Sequence, residues 1–338
     1  MSLQHPPRSD AAALSNPAIA EAVALARNGR IDDAGAQFFA AYRQSPRLAG
    51  CARNALECAR HLALNGLAAP ADPVEHGVAL KGPISFIVCS VRPERLSVLH
   101  RDLQMRLAGE DWELIHIPDA RSLCEGYMRG MKRAHGDLLV FCHDDIGIVC
   151  DDFVGRLRRH LARFEMIGVA GCNKLTGPRW TWSGIPHTLN WVCSANADGM
   201  FRAFVLGAGP MLENAQALDG VFITARRDVA ERIGFDADTF DGFHFYDLDF
   251  SYRAARAGLR CAVAADIVLW HMSGGDFASL EWQRYAQRFL QKFPELQPEA
   301  PPAPFDPAIV NIDRRLGAPI YNWLTHWARL AASPNDIR

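Results

Sequence analysis

From about Pro17 to Ala63, apolar residues recur at helical spacing in Ala- and Leu-rich stretches broken at "RNGR" and "QSPR". Gly29 and Pro46 suit helix ends. Asp32 and Asp33 suit the first turn of the helix that follows, where backbone N–H groups carry partial positive charge. The pattern predicts a helical segment with two breaks. "LNGLAAPADPVEHG" then has the Pro, Gly and Ala content of a linker. Beyond it the period changes: short apolar runs, "ISFIVC", "WELIHI" and "DLLVFC", alternate with the amphipathic stretches "RPERLSVLHRDLQMRLAG" and "CEGYMRGMKRAHG". Apolar runs of this length, with no polar face, read as buried strands. A β-α-β-α-β order predicts an α/β fold, a mostly parallel sheet flanked by helices, with ligands beyond the carboxyl ends of the strands.

Further along, Phe153, Leu157, Leu161 and Phe164 are spaced for one face of a helix, and Arg156, Arg158, Arg159 and Arg163 for the other. "IGVAGC" reads as a strand, and "GVFITARRDVAERIGF" as strand then helix stopped at Gly234. Between them, Gly171 to Asp219 carries Trp180, Trp182 and Trp191 with little periodicity. Irregular segments of that length tend to be functional. "RCAVAADIVLWH" reads as a strand pair or one bent strand ending at His271, and the remainder as helical around a Pro-rich hinge, "FPELQPEAPPAPFDP". The expected units are a helical segment and linker over 1–78, an α/β domain over 79–275, and a helical extension over 276–338.

Composition narrows the function classes. A formal net charge of -2 and the lack of an extended Lys/Arg run argue against nucleic acid as a main partner. Nine cysteines occur singly with no C-x-x-C pair, which argues against structural zinc and suits a reducing cytoplasm. No apolar run is long enough to span a bilayer, and Asp10 and Glu21 interrupt any signal-peptide pattern. The expectation is a cytoplasmic protein, with peripheral membrane contact left open. There is no G-x-x-x-x-G-K-[ST], no G-x-G-x-x-G after the first strand, no H-E-x-x-H and no G-x-S-x-G. These absences argue against P-loop NTPases, dehydrogenases, zincins and α/β-hydrolases.

Four clusters carry candidate chemistry. His143-Asp144-Asp145 closes the run "LLVFC". Two carboxylates and an imidazole can hold a divalent cation such as Mn2+, or can simply form a turn; Asp151-Asp152 is better placed to cap the next helix. "DGFHFYDLDFSYR" sets Asp241, Asp247 and Asp249 among aromatic rings, which raise a carboxylate's pKa and suit a general base. Asp249 could pair with Arg253 at i, i+4, leaving Asp247 as the freer candidate. His271 ends "DIVLW", at another strand end. The Trp-containing segment offers indole faces for sugar rings, or for core packing.

The ordered set "ISFIVCSVRPERL", "GYMRGMKRAHGDLLVFCHDDIGIV", "LDGVFITARRDV", "FDGFHFYDLDFSYRAARAGLR" and "LWHMSGG" resembles the family 2 glycosyltransferases of GT-A (Rossmann-like) fold, and more closely their bacterial glycosyltransferase-like branch. "ALARNGRIDDAGAQFFAAYRQSP" is similar to one tetratricopeptide unit, or is a plain helical hairpin, packed on the main domain or on a protein partner. The resemblance implies an inverting, hexosyltransferase-type transfer from a nucleotide-diphosphate sugar to a hydroxyl of a glycan, lipid-linked or protein-linked acceptor. It places Ser90, Val91, Arg92, Glu94, Asp119, Arg121 and Asp144 around the nucleotide, and Asp145, His143 and His271 around a divalent metal, Mn2+ before Mg2+. Asp219, Gly220, Trp182, His244 and Asp249 fall on the acceptor or sugar side, with Asp247 as catalytic base. The chain departs from the pattern where His143 replaces a carboxylate, Tyr246 a Glu and Met128 an Asn. Those departures keep a second reading in view, a non-catalytic sugar-nucleotide or carbohydrate binding module of the same fold. A sugar-nucleotide pyrophosphorylase would need a Gly-rich first loop, which "CSVRPERL" lacks.

Overall fold

The structure, a computed structural model, describes residues 16–71, 79–195, 200–274, 277–297, 302 and 305–331. The signal-peptide reading, part of the linker and part of the Pro-rich hinge therefore lie outside the described residues.

The chain opens with α1 (Pro17–Arg27), α2 (Ile31–Gln44) and α3 (Ala49–Leu64), the two breaks falling at "RNGR" and "QSPR". Asn16 starts α1 by accepting the Ala18 amide at 3.0 Å. Gly29 then turns the chain at φ 77°, a conformation costly for a residue with a Cβ. The expected βαβαβ follows: β1 (Ile84–Cys89), α4 (Pro93–Arg106), β2 (Trp112–Ile117), α5 (Leu123–Arg133) and β3 (Leu138–Cys142). Next come β4 (Ile146–Ile148), α6 (Phe153–Arg163), β5 (Met166–Gly168), β6 (Ala170–Cys172), β7 (Thr188–Asn190), β8 (Cys193–Ala195), β9 (Phe201–Val205), β10 (Met211–Glu213) and β11 (Ala217–Leu218). The chain continues with β12 (Phe222–Arg226), α7 (Arg227–Ile233), α8 (Tyr246–Arg256), β13 (Cys261–Ala264), β14 (Leu269–His271), α9 (Leu280–Lys292), β15 (Ala308–Ile312) and α10 (Gly317–Leu330).

Seven strands form the central sheet in the order β10-β13-β5-β12-β3-β1-β2, with a second sheet β15-β9-β8-β14-β4 and a third β11-β6-β7. The α/β class is as expected, but the sheet is mixed rather than mostly parallel. β1 runs parallel to β2 and β3, and β5 to β13, whereas β12 is antiparallel to both β3 and β5. The cause is local. Among the described residues between β5 and β12 the chain makes only short strands and turns, with no crossover helix to carry it to the other end of the strands. It therefore re-enters the sheet at the strand end it left, running antiparallel to β5.

Gly171 to Asp219 is the second difference. The segment is built from strands of two to five residues plus a 3-10 turn at Trp180–Ser183, too short for a period to show in sequence. "RCAVAADIVLWH" divides between two sheets, β13 in the central one and β14 in the second. Asp152 precedes α6 without capping it through its side chain; its carboxylate pairs instead with Arg159 at 2.7 Å.

The helical segment packs on the body of the protein. Trp327 of α10 donates to Asp32 at 2.8 Å and covers Gly35 so closely that a Cβ there would lie 2.2 Å from its ring. The Gly207 amide donates to the Tyr42 hydroxyl at 3.0 Å, and Phe39 meets Trp191 edge to face with centroids 6.2 Å apart. Gly35→Ala is accordingly expected to cost about 1–3 kcal/mol through overpacking, read as a lower urea midpoint at unchanged slope. No helix among the described residues is long and apolar enough to cross a membrane. All nine cysteines are free thiols, eight of them buried.

Candidate active site

Three turns converge at the carboxyl end of β3. The first, His143-Asp144-Asp145, links β3 to β4, so the acidic residues sit between two strands and not at a helix start. The second is the end of β14. Its antiparallel register with β4 pairs His271 with Ile146, and the Met272 amide continues the ladder to the Asp145 carbonyl at 3.1 Å. The third is Asp219-Gly220-Val221, which leads into β12. The His143 amide donates to the Val221 carbonyl at 3.2 Å, just past the Phe222–Cys142 pair. Sheet register thus brings together residues 128 positions apart.

His143 Nδ1 lies 3.2 Å from His271 Nε2, which lies 3.5 Å from Asp145 Oδ1. Donors each about 2.0–2.3 Å from one cation stand roughly 3–4 Å from one another, so the three atoms fit a shared divalent ion. Burial, and next the His271 imidazole, hold His143 below the usual imidazole range, so it is neutral at pH 7 and able to ligate. Burial works against ionisation of Asp145. The hydrogen bond and charge of His271, with Ser273 and His143, outweigh it and hold the carboxyl well below its usual range.

Beside this triangle, Ser90 at the end of β1 is buried and donates to Asp144 Oδ2 at 2.5 Å. Its carbonyl lies 2.7 Å from His116 Nε2 on the neighbouring β2. Arg95, one turn into α4, reaches Asp145 at 3.1 Å and Asp144 at 3.6 Å, placing a guanidinium beside the two carboxylates. Val91, Arg92 and Glu94 are exposed at the head of the same helix. Asp119 and Arg121 occupy the turn after β2: Asp119 pairs with Arg129 at 2.9 Å, and the Arg121 amide donates to Glu125 at 3.1 Å.

On the other flank, α8 starts from Phe245 in the left-handed conformation, φ 65°, an uncommon state for a bulky residue. The turn sets Tyr246 and Asp247 toward the β12 entry. Tyr246 Oη is 3.0 Å from His143 Nε2, and the Gly220 amide donates to Asp247 Oδ2 at 2.8 Å. Gly220 is required there, since a Cβ would lie 2.0 Å from the Tyr246 hydroxyl. Asp219 accepts from Trp180 Nε1 at 2.9 Å and from the Val221 amide at 3.0 Å. Burial, then the Asp219 charge, raise Asp247 to about 7, against the hydrogen bonds of the Leu248 and Gly220 amides. A carboxylate poised near neutrality is what general-base chemistry requires.

The structure thus gathers Ser90, His143, Asp144, Asp145, Asp219, Gly220, Asp247 and His271. Asp249 has another part. It is fully buried and ion-paired with Arg253 at 2.8 Å and Lys292 at 2.5 Å, tying α8 to α9. His244 lies beside the Tyr285 ring, centroids 6.3 Å apart, and Trp182 shares the 3-10 turn with Trp180. It is the Trp180 indole that bonds Asp219. Arg95, His116, Tyr127 and Ser273 join the site without having been singled out in sequence, and Trp180, named there only among the indoles of its segment, joins it through Asp219. Only Arg95 left a signal, one helical turn beyond Arg92.

The sequence matches the glycosyltransferase-like family over residues 85–293. A comparison with curated proteins gave no match. Among solved structures, GalNAc-T7 with UDP, GalNAc and Mn2+ aligns at TM-score 0.44 and 8% identity, over 64% of this chain and 50% of that one. The mannosyltransferase PcManGT from Pyrobaculum calidifontis, in complex with GDP-Man and Mn2+, aligns at TM-score 0.40 and 14% identity, over 89% and 85%. The present chain spans half the length of the first of these. Both likenesses are distant, and the assignment rests on the family match. That match runs from β1 through α9 and takes in every residue of the site described above, so this chain belongs to the glycosyltransferase-like family.

Proposed function

We propose that the protein transfers a sugar from a nucleoside-diphosphate sugar to a hydroxyl acceptor with inversion at the anomeric carbon, Asp247 acting as the base. The observation that carries this reading is a carboxylate raised to about 7 and held on the Gly220 amide, beside a cation-binding triangle. Asp247 would accept the acceptor's proton as its oxygen attacks in line, one base sufficing for a single displacement. Arg95 and the Ser90 turn, beside Asp144 and Asp145, would hold the diphosphate. His143, Asp145 and His271 would hold the metal, and two imidazoles with one carboxylate favour Mn2+ over Mg2+, which prefers an all-oxygen shell. When bound, the metal supplies charge neutralisation for the departing diphosphate. Nine free thiols suit a cytoplasmic protein.

Incubation with a panel of UDP-, GDP- and dTDP-sugars, with Mn2+ or Mg2+, tests the reading. The expected outcome is thermal stabilisation by one nucleotide class, larger with Mn2+, together with turnover on a hydroxyl acceptor. Binding without turnover on any acceptor would favour the non-catalytic module. Stabilisation that ignores the cation would remove the metal role.

A further inference from the structure

We propose that Arg179 is an anion-recognition residue on the acceptor side of the site, so that the acceptor carries a phosphate or carboxylate group as well as the hydroxyl that attacks. The inference rests on the transfer reading above for the ligand's being an acceptor; the anion site itself stands on the surroundings of Arg179.

Two links fix where Arg179 stands. Along the chain it precedes Trp180, whose indole donates to Asp219 at 2.9 Å, and its carbonyl accepts the Trp182 amide at 3.1 Å to start the 3-10 turn. Across the fold its guanidinium carbon lies 4.1 Å from the ring centroid of Phe277 and 6.0 Å from that of Trp282, in the first turn of α9. Trp282 rests in turn on Phe245, centroids 5.3 Å apart, and Phe245 is the residue from which α8 starts. Arg179 therefore connects the two segments that flank Asp247, the Asp219 turn and the head of α8.

What Arg179 lacks is a negative partner. Among the described residues no carboxylate or carbonyl accepts from its guanidinium. Arg253 and Arg288, on the neighbouring helices, each meet a carboxylate, at 2.8 and 2.6 Å. Burial lowers the Arg179 pKa from the usual guanidinium value with no carboxylate to offset it, yet the group stays charged near neutrality. The two rings attract the cation and hold it in place, but they offer no acceptor oxygen for its N–H donors. A positioned planar fork with open donors matches the paired oxygens of a phosphate or carboxylate. Phe277 is 45% exposed, so the platform is reached from solvent.

Three probes test this: methyl β-glucoside, which is neutral, methyl β-glucuronide, which adds a carboxylate, and glucose 6-phosphate. Ligand-observed NMR reads their affinities for the full wild-type chain, Arg179→Gln and Phe277→Leu. In the wild type at least one anionic probe should bind about 10-fold or more tightly than the glucoside, and the tighter of the two names the group. Arg179→Gln should bring both anionic probes to the level of the glucoside. Phe277→Leu changes an exposed ring, and should weaken them in part by freeing the guanidinium. Thermal stabilisation by a nucleoside diphosphate with Mn2+ should be the same in all three proteins, which separates Arg179 from the donor side. Equal affinity for the three probes, undetectable binding of all of them, or an anion preference that survives Arg179→Gln overturns the proposal, as does loss of the nucleotide stabilisation in that variant. Should Arg179→Gln fail to fold, a preference untouched by Phe277→Leu overturns it instead. An Arg179-dependent preference in a protein that glycosylates no hydroxyl upholds the anion site and overturns the transfer reading. Turnover with equal KM for neutral and anionic acceptors does the reverse.

Discussion

Replacing Asp247 by Asn should lower kcat on the order of 10^2–10^4-fold, the range spanned by positioned general bases, while nucleotide affinity stays within error. Asn keeps the shape and can still accept the Gly220 amide, but it cannot take a proton. The pH dependence supplies an independent check. As the proposed base, Asp247 would accept a proton only when ionised, so the wild-type rate should climb as pH rises through about 7, and that limb should vanish in the variant. The same shift has a stability consequence of opposite sign to that of a salt-bridged carboxylate. The folded state holds this proton up to about 7, whereas the unfolded chain releases it near about 4. Its contribution to stability is therefore lost as pH rises across that window. Asp247→Asn should melt above the wild type at pH 8, with the gap closing toward pH 4. Full turnover in the variant would remove Asp247 from the role.

Asp145→Asn should have the second largest effect. The carboxylate lies within reach of His271 and of Arg95, so its charge serves both the cation triangle and the guanidinium beside it. A ligand at 100 times its Kd stabilises a folded protein by about 2.7 kcal/mol, several degrees in melting temperature for a chain of this size. In the variant, the part of that gain that depends on Mn2+ should disappear, and the transfer rate should fall on the order of 10^3-fold, as when a main electrostatic stabiliser of developing charge is removed. An unchanged Mn2+ response would place the cation elsewhere.

How legible the site was in sequence follows from how each residue reaches it. His143, Asp145 and His271 stand where an apolar run ends, and Asp247 opens an amphipathic helix, so local pattern finds them. Their convergence is set by the β4–β14 and β3–β12 registers, which no window of sequence contains. His116, Tyr127 and Trp180 lie inside their elements and act across the chain, on Ser90, Cys142 and Asp219. Nothing in the neighbourhoods of His116 and Tyr127 marks them, and Trp180 is marked only as one indole of an aperiodic segment. The antiparallel β12 escaped for a related reason: a strand's direction depends on the absence of a crossover helix, and the connecting strands were too short to read. Asp249 was half legible. Its Arg253 partner is four residues on, but Lys292 is 43 residues away. Met128, where the resemblance expects Asn, accepts the Phe235 amide through its sulfur at 3.2 Å and so anchors the turn after α7.

The Asp249 junction has a consequence for how the active protein comes into being. Arg253 pairs with Asp249 and also donates to the Ile233 and Gly234 carbonyls, and Lys292 binds Asp236 as well as Asp249. Arg253 can pair with Asp249 within α8, but Lys292 reaches Asp236 and Asp249 only once α9 has docked, and a buried carboxylate short of its partners is strongly disfavoured. The same docking sets the first turn of α8, with Tyr246 and Asp247 on it. Setting of the first turn of α8 and docking of α9 should then be coupled. A chain in which α9 has come away should lack an ordered first turn of α8. Its activity should return in step with the burial of α9, with no lag in which a folded but incompetent species accumulates.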